Sequence, residues 1–364
     1  MNSDLLLLGP GPSNPYPEAT QALTRPVLGH LDPEFLALVA DTCERLRTVF
    51  RTRNRFTLPV SGTGSAGMEA CLVNLLEPGD VAIIGVNGYF GERLCQVVGR
   101  AGAEIVRVEA DWGKTIDPGR LLDAQRASPG ARLVAVVHAE TSTGVRNDIL
   151  PLRALQDTAT LLVVDTVTSL GGIPVEVDAW GIDACYSATQ KCLGAPSGLA
   201  PVTLSERAVE RVSARAGPPG SFYLDFGLLD AYLLQDPPRY HHTASSPLVA
   251  ALHAGLGRLL EEGLPAVWER HAQVGEQLQA SLPRLGFELV AEEGYRLPQL
   301  TAARLPAGVD DAAARKTLRN DFGIEVGGGL GPFAGTAWRI GLMGHAARDR
   351  AVVTVLGALM VLLH

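Results

Sequence analysis

A chain of 364 residues is longer than one hydrophobic core usually organises, which predicts one large domain and a smaller one. Apolar residues make up 46% and charged residues 19%, and the net charge of -8 is spread without basic clusters, so nucleic acid is not an expected partner. The five cysteines are odd in number and lack Cys-x-x-Cys spacing, which leaves disulfides and zinc unsupported and points to a reducing cytoplasm.

In chain order, Leu5–Leu8 is too short for a signal sequence and runs into Gly9-Pro10-Gly11-Pro12, so no targeting segment is expected. Phe56–Val60, Val81–Gly85, Glu104–Val108, Leu133–His138, Leu161–Asp165 and Asp183–Ser187 are predicted strands, separated by predicted helices at Gly67–Leu76, Glu92–Ala101 and Leu150–Thr158. Such alternation predicts an α/β fold with a mostly parallel sheet covered by crossover helices. From about Ser246 the pattern changes to long helices, Pro247–Leu260 and Pro265–Leu285, followed by short strands at Phe287–Val290, Leu300–Leu305 and Trp338–Leu342. The expected organisation is an N-terminal arm (1–16), a large domain (17–245) and a small C-terminal α+β domain (246–364). Ala351–Leu363 falls short of the roughly 20 residues that span a bilayer, so it is expected to be a buried or interface helix of a soluble protein with no membrane partner.

Only three lysines are present, Lys114, Lys191 and Lys316. Lys114 lies in a polar turn and Lys316 among charged neighbours, settings that leave an amine protonated. Lys191 follows the strand Asp183–Ser187 and precedes the apolar, glycine-containing stretch Cys192–Gly198, where desolvation favours a neutral nucleophilic amine. A surface loop lysine is the competing reading. The strand Leu161–Asp165 ends in a carboxylate at the edge where open α/β sheets place ligands. A carboxylate there suits the ring nitrogen of pyridoxal phosphate (PLP), which it keeps protonated, although a helix cap or a metal or ribose ligand would look the same locally.

Gly62-Thr63-Gly64-Ser65-Ala66-Gly67 follows a strand and opens a helix, as a phosphate-binding turn does. The spacing also matches a dinucleotide motif and raises an NAD-dependent dehydrogenase as a rival; the next strand, Val81–Asn87, lacks the acidic residue that motif requires. Tyr89 and Phe90 offer a ring to stack on a cofactor. Arg339, inside the apolar run Trp338–Leu342, needs an anionic partner such as a substrate carboxylate, or failing that a structural salt bridge. Tyr240-His241-His242-Thr243 has no metal-ligand spacing, so no metal is expected; its hydroxyls suit a phosphate, or it is a surface loop. His138 is expected to be a satisfied core histidine, and Glu140–Gly144 a strand-end loop presenting hydroxyls.

Together, Gly9–Asn14, Ser61–Gly67, Glu140–Val145, Asp165, Gln190-Lys191, Tyr240–Thr243 and Arg339–Gly341 resemble the class V aminotransferases of fold type I, more narrowly the alanine–glyoxylate and serine–pyruvate group, over about Leu8 to Met343. The resemblance implies a large domain built on a mostly parallel seven-stranded sheet, and PLP as cofactor. It implies Lys191 as the Schiff-base lysine and Asp165 at the ring nitrogen. Thr63, Gly64 and Ser65 would surround the phosphate, Thr141, Val167 and Gln190 would contact the cofactor, and Phe90 would stack on it. Arg339, Ser13 and Asn14 would bind substrate. It also implies a homodimer in which Tyr240 and Thr243 reach the partner's cofactor. The implied reaction moves an amino group from alanine or serine to glyoxylate or pyruvate; another transaminase donor or a lyase is the alternative within class V. A cysteine desulfurase is disfavoured, since no cysteine follows Cys192.

Overall fold

Residues 5–363 are described by the structure, a computed structural model; the remainder of the arm and His364 lie outside them. The chain enters through a two-residue strand, β1 (Leu6–Leu7), and helices α1 (Pro17–Ala22) and α2 (Pro33–Phe50). α2 starts where the Asp32 carboxylate accepts from Glu34 N with Pro33 at the first position, and stops where Arg51 turns left-handed at φ 54°. Alternating elements follow: β2 (Phe56–Ser61), α3 (Gly64–Leu75), β3 (Val81–Val86), α4 (Tyr89–Arg100), β4 (Glu104–Glu109), α5 (Pro118–Ala127) and β5 (Leu133–Val137). A small hairpin, β6 (Ala139–Glu140) with β7 (Val145–Arg146), and a 3-10 turn over Leu150–Asp157 lead to β8 (Leu161–Asp165), β9 (Ala184–Tyr186) and β10 (Leu199–Leu204).

The large sheet has seven strands in the order β2-β10-β9-β8-β5-β3-β4, all parallel in sense except β10, which runs antiparallel to both neighbours. Six of these strands coincide with predicted ones. β10 was not among them, because Pro201 at its centre argues against an interior strand. The Pro201 carbonyl accepts from Ser187 N at 2.8 Å, just past the end of β9, so the missing N–H falls outside the β9 ladder. Two helices begin earlier than expected, α3 at Gly64 and α4 at Tyr89, which turns both presumed strand-to-helix loops into helix N-termini.

α6 (Glu206–Ser213) and α7 (Phe226–Leu233) precede the long helices α8 (Ser246–Glu262) and α9 (Leu264–Ser281). Next come β11 (Glu288–Leu289), β12 (Leu300–Arg304), α10 (Asp311–Asp321), β13 (Ile324–Glu325), β14 (Gly327–Gly328), β15 (Ala337–Gly341) and α11 (Asp349–Leu363). A four-stranded antiparallel sheet, β11-β12-β15-β14, forms the smaller layer, and β1 pairs with β13, tying the arm to it.

Apolar packing divides into two main clusters. The larger includes Val249, Leu252, Leu256 and Leu259 of α8 and Val267 of α9; the smaller begins with Val274 of α9 and takes in Leu8 from the arm. The cores therefore part within α9, later than the 245/246 boundary expected from the change of pattern, because the inner face of α8 packs against α1 and α2. α11 buries Ala351, Val352, Val355, Ala358 and Leu359 but leaves Val353 and Val361 exposed. Among the described residues no helix is long and apolar enough to cross a membrane.

Candidate active site

The carboxyl ends of β5 and β8 open into a cavity of about 200 Å³, the position where open α/β sheets hold ligands. Thr63, Gly64, Ser65, Phe90, Thr141, Asp165, Val167, Gln190 and Lys191 all line it. Residues up to 128 positions apart are thus brought together as the sequence suggests.

Asp165 is the last residue of β8 and is buried. Its carboxylate accepts from Val167 N at 2.8 Å and from the Tyr186 hydroxyl at 2.9 Å. Burial nonetheless pushes its pKa up to about 6, against the lowering effect of those bonds and of Lys191 and Arg93. Among the described residues this carboxylate forms no salt bridge, although both cations act on it. Lys191 lies in the turn between β9 and β10, and burial draws its amine down to about 8; Cys192 and Asp165 raise it, and Arg339 lowers it. Its Nζ donates to the carbonyl of Pro10, so the arm closes over the amine. Lys114 instead pairs at the surface with Glu292, and Lys316 is exposed.

At the N-terminus of α3, a Cβ on Gly64 would stand 2.9 Å from Val167 and 3.0 Å from Ala188, so only glycine lets this turn lie against the cavity floor. Phe90, in the first turn of α4, faces the cavity, whereas Tyr89 points outward, their rings 5.7 Å apart and nearly perpendicular. Glu140 fixes this corner from beneath. Its carboxylate accepts from Phe90 N (3.0 Å), Gly91 N (3.2 Å), Ser142 N (3.1 Å) and the Ser142 hydroxyl (2.6 Å), while Ser142 Oγ accepts from Tyr89 N (2.9 Å). A fully buried acid with four donors acts as the cap of a helix far away in sequence.

Arg339 is buried on β15. Only its Nε is bonded, to Gly328 O at 2.8 Å, and among the described residues it has no salt-bridge partner. Burial draws its pKa down to about 10, and Glu140 opposes that shift. A half-satisfied buried guanidinium suits a carboxylate ligand.

Ser13 and Asn14, expected to bind substrate, stand differently. Ser13 Oγ donates to the carbonyls of Gln190 (3.2 Å) and Lys191 (3.1 Å), and Asn14 spans Leu7 N (2.8 Å) and Leu5 O (3.0 Å). Neither lines the cavity; both bond main chain and so hold the arm and the lysine turn. Tyr240 and Thr243 are exposed and also lie outside the cavity of their own chain. His138 is buried edge-on to Trp180 at 5.4 Å, yet its Nδ1 has no partner, so it is in the core but not satisfied there.

Reading the sequence missed Arg93, Tyr186 and the role of Glu140. Tyr186 ends β9 five residues before Lys191, but its contact with Asp165 depends on β8 and β9 being adjacent, which no local pattern reveals.

The pairing of a desolvated lysine with a buried carboxylate across one cavity, at the edge of this sheet, defines a PLP-dependent transferase of fold type I. Comparison with known proteins agrees. Residues 15–333 match the family model for aminotransferase class V. The chain is 44% identical to an alanine–glyoxylate aminotransferase from Nostoc sp. whose crystal structure superposes with a TM-score of 0.97, covering 100% of this chain and 96% of that one. It is 36% identical to the (S)-ureidoglycine–glyoxylate transaminase of Bacillus subtilis over 97% of this chain and 89% of that protein. It is 30% identical to the pyridoxamine–pyruvate aminotransferase of Mesorhizobium loti, with a TM-score of 0.92 over 99% of this chain and 92% of the other. This chain belongs to the class V aminotransferases, and is therefore a PLP-dependent transaminase. The dehydrogenase alternative falls with that membership.

Proposed function

We propose that this transaminase moves an amino group from a small amino acid, alanine or serine, to glyoxylate or pyruvate. The relatives named above support the acceptors. The observation that carries the reading is Lys191 and Asp165 converging on one cavity; Arg339 does not line it, but its charge acts on Lys191 and only its Nε is bonded.

PLP, when bound, supplies an electron sink for the pair released at the substrate's α-carbon. Asp165 suits the ring nitrogen: a carboxylate made basic by burial holds a proton there. Phe90 and Val167 suit the two ring faces, Gln190 and Thr141 its polar edge, and Thr63, Gly64 and Ser65 its phosphate at the α3 N-terminus. Lys191 would hold the cofactor through its amine and, once free, would serve as the base that carries the substrate's α-proton. With a pKa near 8 it exchanges protons close to neutral pH. Arg339 orients the amino acid by its carboxylate. Mixing the holoenzyme with a panel of amino acids tests the assignment: alanine or serine should bleach the visible cofactor band, and glyoxylate or pyruvate should restore it. A panel in which neither donor bleaches the band would overturn the substrate assignment.

The protein is read as a homodimer with shared sites. Val27, Phe222 and Tyr240 are 76%, 71% and 62% exposed around the segment that carries Tyr240 and Thr243, an apolar face that a second copy would cover. Light scattering at a mass of one chain would refute this. Five buried free cysteines fit a reducing cytoplasm.

A further inference from the structure

Arg93 lies one turn into α4 and lines the cavity between the α3 N-terminus and Phe90. Its guanidinium carbon stands 5.1 Å from the ring centroids of both Tyr89 and Phe90, and Nη1 donates to Ser65 Oγ at 3.3 Å. Among the described residues it has no carboxylate partner; its neighbour Glu92 is taken by Arg107 at 2.5 Å. An arginine stacked on two rings and left without an anion beside a phosphate-type turn is a preorganised anion receptor. The other cation lining the cavity among the described residues, Lys191, works as an amine, and Arg339 on the small sheet is outside that lining. A phosphate dianion entering the cavity that Asp165 lines would otherwise meet a buried acid and no cation of its own.

We propose that Arg93, acting with Ser65, is the side chain that binds the cofactor's phosphate. The inference rests on the PLP reading above and adds a binding residue to it. Phosphate is favoured over a second substrate carboxylate because the contact is to Ser65 of the turn that opens α3.

Apoprotein of the full chain, titrated with pyridoxal phosphate and with pyridoxal, tests it through cofactor fluorescence. Arg93→Gln should weaken pyridoxal phosphate about tenfold or more and leave pyridoxal unchanged, the size expected for a lost charged hydrogen bond. Arg93→Lys, which keeps the charge but not the fork, should fall between. Inorganic phosphate should slow cofactor uptake by the parent protein more than by Arg93→Gln. Equal weakening of both probes, as displacement of Phe90 alone would give, overturns the proposal, and so does an unchanged preference for the phosphorylated form. Loss confined to the KM of dicarboxylate substrates would assign the guanidinium to substrate and overturn it too. If the parent protein takes up neither probe, the PLP reading itself fails, a result visible before any variant is made.

Discussion

The cavity floor and the Tyr240–Thr243 segment place their polar groups in opposite ways. On the floor, Asp165 at the end of β8 and Lys191 in the turn after β9 face one cavity, placed there by parallel strands whose register leaves little freedom, and Glu140 fixes the start of α4 beside them. The segment is equally anchored but directed away. His242 Nε2 meets Ser61 Oγ at 2.8 Å, His241 Nδ1 meets His242 Nδ1 at 2.8 Å, and His241 Nε2 meets Phe222 O at 3.0 Å. With His241 donating to a carbonyl, the chain of bonds runs in one sense only, Ser61 donating to His242 and His242 to His241. Burial, with His241 and His30 adding to it, holds His242 down to about 4, so its ring stays neutral at pH 7. Rigid anchoring of two exposed residues makes sense for groups serving a neighbouring molecule. Floor changes should therefore act within a protomer, and segment changes through a second copy.

The largest expected effect is that of Lys191→Ala. It removes both the anchor and the proton carrier, and should lower turnover about 10³-fold or more and abolish the visible band of the bound cofactor. The parent protein sharpens the same point through pH. Below about 8 the Lys191 amine is protonated and cannot bond the cofactor, so cofactor uptake should rise roughly tenfold per pH unit up to that value and level off above it. A flat profile between pH 6 and 8 would remove the desolvated amine from the account. Arg339→Ala comes next. The KM for the amino acid should rise about 10- to 100-fold with cofactor affinity unchanged, because a charged bidentate contact is lost from substrate alone.

Glu140→Gln tests the floor more gently. One amide oxygen replaces a carboxylate facing Phe90 N and Gly91 N, and the new NH₂ confronts donors. A cost of about 1–3 kcal/mol is expected, seen as a lower melting temperature with cofactor affinity reduced a few-fold. Unchanged melting would show that the buried cap is dispensable.

What was legible in the sequence follows the same divide. Lys191, Asp165 and the Thr63–Ser65 turn announce themselves locally: a strand ending in a charge, a lone lysine in an apolar stretch, a glycine-rich turn before a helix. Groups defined by what lies across from them did not. Tyr186 acquires its meaning from β8 pairing with β9, Glu140 from the start of α4, and Arg93 from the spacing between two helix N-termini. Ser13 and Asn14, expected at the substrate, stand outside the cavity lining. A polar residue beside glycines and prolines suggests a ligand contact, whereas the arm uses both to bond main chain. β10 was hidden by Pro201, whose absent N–H is harmless only because β9 is too short to require it.

The smallest expected effect bears most directly on the comparison. Tyr240→Ala leaves its own floor intact, so in a monomeric enzyme with a self-contained cavity it should change little. In a dimer with shared sites it should weaken cofactor binding a few-fold in every site, since each site then lacks a hydroxyl from its neighbour. Mixing chains separates the two. A dimer of one Lys191→Ala chain and one Tyr240→Ala chain would carry one site with both defects and one with neither. After subunit exchange, the mixture should bind cofactor at the intact site as tightly as the parent protein, although neither variant alone does so. No recovery on mixing, with exchange confirmed by mass spectrometry of the intact dimer, would mean that the anchored segment serves no neighbouring site.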